Sequence, residues 1–367
     1  MNWYEIKNVD SIDSPALVIY KERIHENIRL LKSMVNNDVS RLRPHVKTNK
    51  IAEVCRMMLD EGITKYKCAT IAEAEMLAMI EAPDVLLSYQ PVGPKARRFI
   101  DLVSHYPSTR FSCLVDNIHT ADQLSKLCVS NNLSVDVFID LNTGMGRTGI
   151  PPSKALLLFE AVQLLPAIRI AGLHAYDGHI RDTDIKARTE HVEFTCCWED
   201  FVAEAVKVID DSRLIMVAGG SPTFPIHAHR ENIECSPGTF IFWDWGYKHA
   251  FPDEPFEYAA LVITRVISIV DVNTITTDLG HKSVAAENPL PRVHFLNAPD
   301  IIPASQSEEH LVLKVADSSI YKTGDVLYGV PVHICPTVAL YEKAVVIENN
   351  TAVDEWKVIA RNRRITI

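Results

Sequence analysis

The stretch RFSCLVDNIHTADQLSKLCVSNNLSVDVFIDLN, residues 110–142, contains the pattern that decides the fold. Two short apolar runs of strand character, 110–116 and 135–142, flank a longer run in which apolar residues recur at helical spacing. A helix that joins two strands returns the chain to the edge where the first strand began, so units of this kind build parallel sheets.

The same unit recurs along the chain from about residue 40 to residue 245. Eight strand-like runs, each followed by a helical run, lie at residues 42–48, 65–71, 84–90, 110–116, 135–142, 168–176, 213–220 and 232–242. Eight consecutive units favour a closed, TIM-like (β/α)8 barrel over an open doubly wound sheet. An additional helix is predicted over residues 21–35, ahead of the first barrel strand.

The pattern changes after about residue 250, where strand-like runs separated by turn residues dominate. We therefore predict a barrel domain over residues 14–250 and a C-terminal all-β domain over residues 251–367, which residues 1–13 could join. The stretch PALVIY (15–20) either pairs with the β domain or begins the barrel, and the sequence leaves this open.

Composition excludes several classes of protein. The chain has 367 residues, of which 47% are hydrophobic, and a net charge of −10 without any stretch dense in Lys and Arg. A disordered chain, a nucleic-acid footprint and a basic membrane-surface patch are therefore excluded. Apolar runs are too short to span a membrane, and the eight cysteines show no disulfide framework. We expect a cytoplasmic enzyme with reduced thiols and small-molecule substrates.

Unusual residues follow the predicted barrel strands at their carboxyl ends, where barrels of this kind carry their chemistry. The first strand ends at Lys47, which the neighbouring Arg43, His45 and Lys50 would surround with positive charge. Crowding and burial lower the pKa of an amine, as a nucleophilic or Schiff-base lysine requires. A solvated surface charge is the alternative interpretation.

Later strands are followed by further candidates. Runs of glycine beside Ser or Thr, AGGSPT and SPGTF, could direct backbone N–H groups at a phosphate, although ordinary turns are the alternative. The candidate side chains and glycines after strands five to eight are Arg147, Tyr176, Gly219, Gly220, Ser221, Gly238 and Thr239. Eight of the 14 glycines fall in four short stretches, NTGMGRTG, AGLHAYDG, AGGS and SPGT. This clustering suggests that the backbone conformation at these positions favours glycine.

His333 and Cys335 lie in VPVHICPTV of the β domain. On a strand, residues i and i+2 point to the same face, so an imidazole and a thiolate could bind one zinc ion there. Spacing alone favours the simpler interpretation, a half-buried histidine beside a core cysteine. Asp278, Lys282 and the Glu308–His310 segment are interpreted as solvated or turn residues.

With these residues in view, the sequence resembles the D-threonine aldolase / D-serine dehydratase family, which belongs with the alanine racemase type of pyridoxal-phosphate enzymes. The matching stretches run nearly end to end and include DSPALVIY, RPHVKTNK, CATIAEAE, GMGRTG, YDGH, GGSPT, SPGTF, DLGHKS, SEEH and PVHICPTV. The resemblance implies a homodimer whose active sites lie at domain and subunit boundaries.

The resemblance also implies roles for individual residues. Lys47 would carry pyridoxal 5'-phosphate as a Schiff base, Arg147 would lie near the ring oxygen of the cofactor, and Tyr176 near its pyridine ring. The phosphate would be held by Gly219, Gly220, Ser221, Gly238 and Thr239. His333 and Cys335 would bind a divalent metal, with zinc favoured and manganese or magnesium as alternatives, which reverses the interpretation from spacing alone.

Two departures from the family pattern bear on the substrate, and one difference from alanine racemases bears on the reaction. Asn49 stands where the family usually has histidine, and Leu311 follows the EEH segment where glycine is usual. In place of the racemases' R-P-G, the chain has Ser236, Pro237 and Gly238, so no arginine faces the pyridine nitrogen. That difference suits elimination or retro-aldol chemistry.

The leading functional hypothesis is a metal-assisted dehydratase of D-3-hydroxyamino acids, of the D-serine type. In this hypothesis Lys47 removes the Cα proton, the cofactor acts as electron sink and the metal assists departure of the β-hydroxyl. The alternatives are a D-threonine aldolase, an amino-acid racemase and a non-catalytic pyridoxal-phosphate carrier. The thiolate of Cys335 gives a slight preference for the dehydratase, because thiolate suits zinc.

Overall fold

The computed structural model describes residues 1–195 and 214–367, and its internal contacts divide the chain into two compact units. The β unit comprises Met1–Leu30, Thr48–Val54 and Thr239–Arg361, and the barrel unit comprises Leu31–Lys47, Cys55–Gly238 and Asn362–Ile367. The chain therefore leaves the barrel unit after Lys47 and again after Gly238. The boundary expected from the sequence, at 250/251, falls later in the chain than this second passage.

The described helices include those predicted between the barrel strands. They are α1 (Lys21–Met34), α2 (Ala52–Asp60), α3 (Ile71–Met79), α4 (Pro94–His105), α5 (Ile118–Ser130), α6 (Pro152–Val162), α7 (Ile185–Thr195), α8 (Phe224–His227), α9 (Trp245–Ala250) and α10 (Ile334–Val338). Side-chain caps begin two of the barrel helices: Thr70 accepts a hydrogen bond from Glu73 N at α3, and Asn117 accepts one from Thr120 N at α5.

Seven parallel strands follow one another in chain order around the barrel unit. They are β2 (Lys65–Cys68), β3 (Asp84–Leu87), β4 (Arg110–Val115), β5 (Val135–Leu141), β6 (Ile168–Ala175), β7 (Ile215–Ala218) and β8 (Ile233–Cys235). The predicted fold class, a TIM-like barrel with a mostly-β second unit, is confirmed by this order and by the second sheet. One prediction was too regular: the run 42–48 is not a continuous strand.

The run 42–48 instead occupies the place between β8 and β2 through isolated bridges. Leu42 pairs with Cys235, and His45 pairs with Lys67. Pro44 has no N–H to add to a ladder, although its carbonyl accepts a hydrogen bond from Lys67 N at 2.9 Å. A turn follows directly and carries the chain through Lys47.

Strand β5 shows how the barrel interior changes along its axis, because alternate residues of a strand point inward. At its start, Asp136 forms ion pairs with Arg110 at 2.5 Å and with Arg169 at 2.7 Å. Two residues on, Phe138 packs in an apolar cluster with Leu86, Leu114 and Val217. Asp140 then accepts hydrogen bonds beyond that cluster. The interior thus passes from ionic to apolar to polar toward the carboxyl ends of the strands.

The β unit is built on a nine-stranded sheet that includes β1 (Ala16–Tyr20). The other strands are β9 (Ala260–Asp271), β10 (Thr274–Thr277), β11 (Val293–Phe295), β12 (Ile302–Gln306), β13 (Leu311–Lys314), β14 (Val326–Pro331), β15 (Lys343–Glu348) and β16 (Thr351–Lys357). Strand β1 pairs antiparallel with β9 and parallel with β15, which settles the place of the PALVIY stretch.

Two further expectations concern membrane-spanning helices and the state of the cysteines. None of the helices in residues 1–195 and 214–367 is long and apolar enough to cross a membrane. The cysteines in these two ranges are free thiols, namely Cys55, Cys68, Cys113, Cys128, Cys235 and Cys335. The remaining two, Cys196 and Cys197, lie outside the described residues.

Candidate active site

Lys47 lies in the turn that ends the barrel's irregular segment, and it is half-buried. Its backbone N–H donates to His45 Nδ1 at 3.2 Å, and its amine nitrogen lies 5.8 Å from the centroid of the Tyr176 ring. The predicted crowding by Arg43 is wrong. Arg43 is fully buried in the ionic layer, where Asp84 at 2.5 Å and Glu234 at 2.7 Å balance its charge.

Tyr176 is the point at which three cations of the barrel unit converge. The amine nitrogens of Lys47 and Lys67 lie 5.8 and 5.6 Å from its ring centroid, and the guanidinium carbon of Arg147 lies 4.9 Å from it. The ring lies against two glycines. A Cβ on Gly178 would come within 2.3 Å of the phenol oxygen, and one on Gly220 within 3.0 Å of the ring edge.

The loop that carries Arg147 is shaped by glycines and by one asparagine. The Asn142 side-chain oxygen accepts hydrogen bonds from the N–H groups of Gly144 and Gly146, at 3.1 and 3.0 Å. Gly149 has φ +95°, and a Cβ there would lie 2.6 Å from the backbone of Leu141. A side chain at Gly149 would therefore both strain the backbone and collide with it.

The loop after β7 is held by a buried network centred on Asp177. One carboxylate oxygen accepts from the Thr223 hydroxyl at 2.7 Å, and the other lies 2.7 Å from His227 Nε2. The Thr223 hydroxyl oxygen in turn accepts from Gly220 N at 3.3 Å. Gly219 has φ +78°, and a Cβ there would lie 2.7 Å from the His227 ring. The Asp177 network thus holds the glycine loop in place.

Of the predicted phosphate-binding residues, four belong to the barrel unit. Gly219, Gly220 and Ser221 are consecutive and buried, and the Ser221 hydroxyl accepts a hydrogen bond from Gly238 N at 3.2 Å. Thr239 is the first residue of the chain's return to the β unit. The structure brings Lys47, Arg147 and Tyr176 together, and it places Gly220 against the same tyrosine.

A chain of buried polar groups continues from Lys67 into the barrel and was missed in the sequence. The Lys67 amine lies 3.2 Å from His174 Nε2, and His174 Nδ1 lies 2.7 Å from Asp140 Oδ1. The Gln90 amide donates to Asp140 at 2.8 Å and to Asp116 at 3.0 Å. Burial lowers the pKa of His174, and the nearby Lys67 lowers it further, so the ring is neutral at neutral pH.

His333 and Cys335 are not on a strand as the sequence suggested. Strand β14 ends at Pro331, His333 precedes α10, and Cys335 lies in its first turn. The two groups nevertheless affect each other's ionisation: Cys335 raises the pKa of His333, and His333 lowers the pKa of Cys335. The helix begins here because the Asp244 carboxylate accepts from Ile334 N at 3.0 Å.

The surroundings of this pair affect the ionisation of both groups. The Thr48 hydroxyl lies 3.1 Å from the Cys335 sulfur, and Glu287 lies 2.5 Å from His333 Nδ1. Burial alone would raise the pKa of Cys335, but hydrogen bonds from His333 and Thr48 lower it below that of an ordinary thiol. Burial acts against a charged His333, yet contacts with Cys335 and Glu287 raise its pKa to about 9.

Cys335 and His333 therefore resemble a thiolate and an imidazolium that share one proton. A metal ion could bind between them in place of that proton. Within residues 1–195 and 214–367, no group of three or more His, Cys, Asp or Glu side chains is arranged to hold a metal. Glu287 fits the position of a carboxylate behind a ligating histidine, which fixes the ring tautomer. Two protein ligands would leave other coordination positions to water or substrate.

The residues that depart from the family pattern have structural roles. The buried Asn49 caps its own turn, because its side-chain oxygen accepts from Ile51 N at 3.0 Å. Leu311 is fully buried in an apolar cluster of the β unit. Asp278 accepts from Ser14 at 2.5 Å and from Arg265 N at 2.9 Å, so it is structural, and Lys282 forms an exposed pair with Glu308 at 2.5 Å.

Two family profiles match the chain. Residues 19–244 match the alanine racemase N-terminal domain, and residues 259–347 match a putative serine dehydratase domain. A D-threonine aldolase of Arthrobacter sp. is 26% identical over 95% of this chain and 93% of its own length. A D-threo-3-hydroxyaspartate dehydratase of Delftia sp. is 22% identical over 95% of this chain and 97% of its own.

Solved structures show the same fold. The crystal structure of D-threonine aldolase from Filomicrobium marinum superposes with a TM-score of 0.88 at 27% identity, over 97% of this chain and 98% of that one. A variant of a D-threo-3-hydroxyaspartate dehydratase, in a metal-free form, superposes with a TM-score of 0.80 at 21% identity, over 95% and 97% of the two chains.

Proposed function

This chain belongs to the alanine racemase N-terminal-domain family and is a pyridoxal-phosphate-dependent lyase, and from that premise we propose that it is a metal-dependent dehydratase of 3-hydroxy-D-amino acids. D-Serine is the type substrate, which would yield pyruvate and ammonia. The aldolases and dehydratases among its relatives act on 3-hydroxy-D-amino acids by name, which supports the substrate class.

The residues of the barrel unit fit pyridoxal phosphate. Lys47 offers a half-buried amine, Tyr176 offers a flat face, and a side chain at Gly178 or Gly220 would displace the tyrosine. The buried Gly219–Ser221 loop, held by the Asp177 network, is of the kind whose backbone N–H groups bind phosphate.

Each residue then has a distinct task. When bound, pyridoxal phosphate supplies an electron sink for a bond that breaks at Cα of the substrate. Lys47 would hold the cofactor, and as a neutral amine it would accept the Cα proton of the substrate. Arg147 would neutralise charge on the cofactor's ring oxygen, and Tyr176 would support the ring.

The donor set of the β unit fits a soft divalent metal. Cys335 would supply a thiolate and His333 an imidazole, with Glu287 orienting the imidazole. Zinc prefers this combination, whereas manganese and magnesium prefer oxygen ligands. Such an ion would supply Lewis acidity to the hydroxyl of the substrate.

The observation that carries the dehydratase proposal is the His333 and Cys335 donor pair, with Glu287 2.5 Å from His333 Nδ1 and the Thr48 hydroxyl 3.1 Å from the Cys335 sulfur. A thiolate is a stronger zinc ligand than a thiol, and zinc assists a hydroxyl in leaving. A D-threonine aldolase is the second candidate, because the Arthrobacter and Filomicrobium aldolases are 26% and 27% identical to this chain. In that reaction the hydroxyl loses its proton and the Cα–Cβ bond breaks.

Product analysis separates the two reactions. We expect the purified holoenzyme to convert D-serine into keto acid and ammonia, with loss of activity on chelation and recovery on adding zinc. Cys335→Ala should respond like the chelated enzyme, whereas Cys128→Ala, at a buried free cysteine of α5, should retain activity. Glycine and an aldehyde from D-threonine, without keto acid from D-serine, would replace the dehydratase with the aldolase.

We also propose that the enzyme is a homodimer, as the resemblance implies. Light scattering of the purified holoenzyme at micromolar concentration tests this. A mass near 41.2 kDa, that of one chain, would contradict it.

A further inference from the structure

Lys67 is a buried amine to which the resemblance gives no role. It lies on β2 and is 2% exposed, and its nitrogen lies 3.2 Å from His174 Nε2. The neutral ring donates its Nδ1–H to Asp140, so its Nε2 lone pair accepts from the lysine. An ammonium has three N–H donors, and this contact satisfies one of them.

Charges of both signs act on Lys67. Burial is the largest cause of the lowering of its pKa to about 7; Lys47 and Arg147 also lower the pKa, whereas Asp177 and Asp140 raise it. Across the part of the chain that the structure describes, no carboxylate lies within ion-pair distance of the Lys67 amine. A buried cation without such a partner is costly.

An anionic ligand would supply the ion-pair partner that Lys67 lacks. Lys67 faces the same Tyr176 ring as Lys47 and Arg147, at 5.6 Å from its centroid. The phosphate is assigned to the glycine loop after β7, so the anionic group left for this end of the site is the ring oxygen of the cofactor.

We propose that Lys67, held by His174 and Asp140, is a second cation that, with Arg147, binds the anionic ring oxygen of pyridoxal phosphate. This inference rests on the proposed function only for its cofactor, not for the reaction. In the empty site the amine readily gives up its proton, and binding of the anion restores its charge. The site therefore limits the repulsion among three cations until the cofactor arrives.

The test compares cofactor binding by the apoenzyme with Lys67→Met, Lys67→Arg and the wild type. Two probes are used, pyridoxal phosphate and 3-deoxypyridoxal phosphate, which lacks the ring oxygen. We expect Lys67→Met to weaken binding of pyridoxal phosphate on the order of tenfold, as for loss of a charged hydrogen bond, and to shift the pH dependence of its visible absorption band. Lys67→Arg should retain most of the affinity.

The deoxy probe distinguishes the ring oxygen from every other contact. It should bind the wild type and Lys67→Met equally well. Lys65→Met is the matched control: Lys65 is two residues earlier on the same face of β2, but it bonds Glu234 and the Ser40 carbonyl in the ionic layer. That variant should leave the absorption band unchanged.

Two results would overturn the inference. One is wild-type affinity and an unshifted band in Lys67→Met. The other is an equal loss for both probes, which would assign Lys67 to the phosphate or to folding. A holoenzyme that binds the cofactor as expected but has no lyase activity would refute the proposed reaction and leave the role of Lys67 intact.

Discussion

The hydroxyl of Thr48 lies 3.1 Å from the sulfur of Cys335, and Thr48 is bonded through its peptide to Lys47. A second threonine, Thr239, lies 3.6 Å from the same sulfur and directly follows Gly238. The chain enters the β unit from the barrel unit at Thr48 and again at Thr239. The same two residues supply the hydroxyls that lie near the thiol.

Thr48→Val is expected to raise the pKa of the Cys335 thiol, because it removes a hydrogen bond that favours the thiolate. In metal-free protein, the rate of alkylation by iodoacetamide at pH 7 should fall on the order of tenfold, as for loss of a hydrogen bond to a charged group. Cys335→Ala gives the background from the other thiols. An unchanged rate would mean that the hydroxyl does not stabilise the thiolate.

Glu287→Gln is expected to weaken metal binding without affecting the cofactor. The carboxylate lies 2.5 Å from His333 Nδ1, and loss of such a partner behind a ligating histidine costs about 10- to 100-fold in metal affinity. Competition with a chromophoric chelator measures that affinity, and the visible band monitors the cofactor. Glu309→Gln, at an exposed carboxylate beside Lys282, is the control. Equal zinc affinity in both variants would remove Glu287 from the metal site.

Asp177→Asn is expected to destabilise the glycine loop. The carboxylate oxygens lie 2.7 Å from the Thr223 hydroxyl and 2.7 Å from His227 Nε2, and all three side chains are buried. An amide has only one oxygen, so it cannot accept both hydrogen bonds as well. We expect a loss of about 1–3 kcal/mol in the free energy of unfolding in urea, together with weaker cofactor binding. Asp182→Asn breaks the exposed pair with His191 and should cost less than about 1 kcal/mol. Similar losses in both variants would contradict a special role for the network.

The alternation of strands and helices in the barrel could be predicted from the sequence because it depends on local periodicity. Strand β5 covers almost all of the predicted run 135–142, and α1 covers almost all of the predicted run 21–35. The run that ends at Lys47 was predicted as a strand but forms only isolated bridges. Lys67 could not be found in the same way, because a lysine on a short strand ordinarily indicates an exposed position. Alternation places residues 65 and 67 on the same face of the strand, but it does not show which face points into the barrel.

The local structure at Cys335 depends on a contact that no local pattern contains. The run VPVHICPTV has the β-branched residues of a strand, yet α10 starts within it. The carboxylate that caps the helix belongs to Asp244, 90 positions earlier in the chain. Pro336 in the first helical turn was the available local signal, since proline is tolerated there and cannot continue a ladder.

Lys67 is expected to make the stability of the apoenzyme depend on pH. Its folded-state pKa of about 7 is below the value of about 10.4 for an unfolded lysine, so between these values the unfolded chain binds more protons. The wild type should therefore gain stability as the pH rises from 7 to 9, by at most about 1.4 kcal/mol per pH unit from this group. Below pH 7 the buried amine is protonated, and its full destabilising effect should be present.

Lys67→Met has no such group, so its advantage over the wild type should be larger at pH 6 than at pH 9. Urea denaturation of both apoproteins at the two pH values measures this difference, and Lys65→Met corrects for loss of a lysine elsewhere on β2. Parallel pH profiles for the wild type and Lys67→Met would show that Lys67 keeps an ordinary pKa. The amine would then already have a counter-charge in the empty barrel, and a ligand would not be needed to supply one.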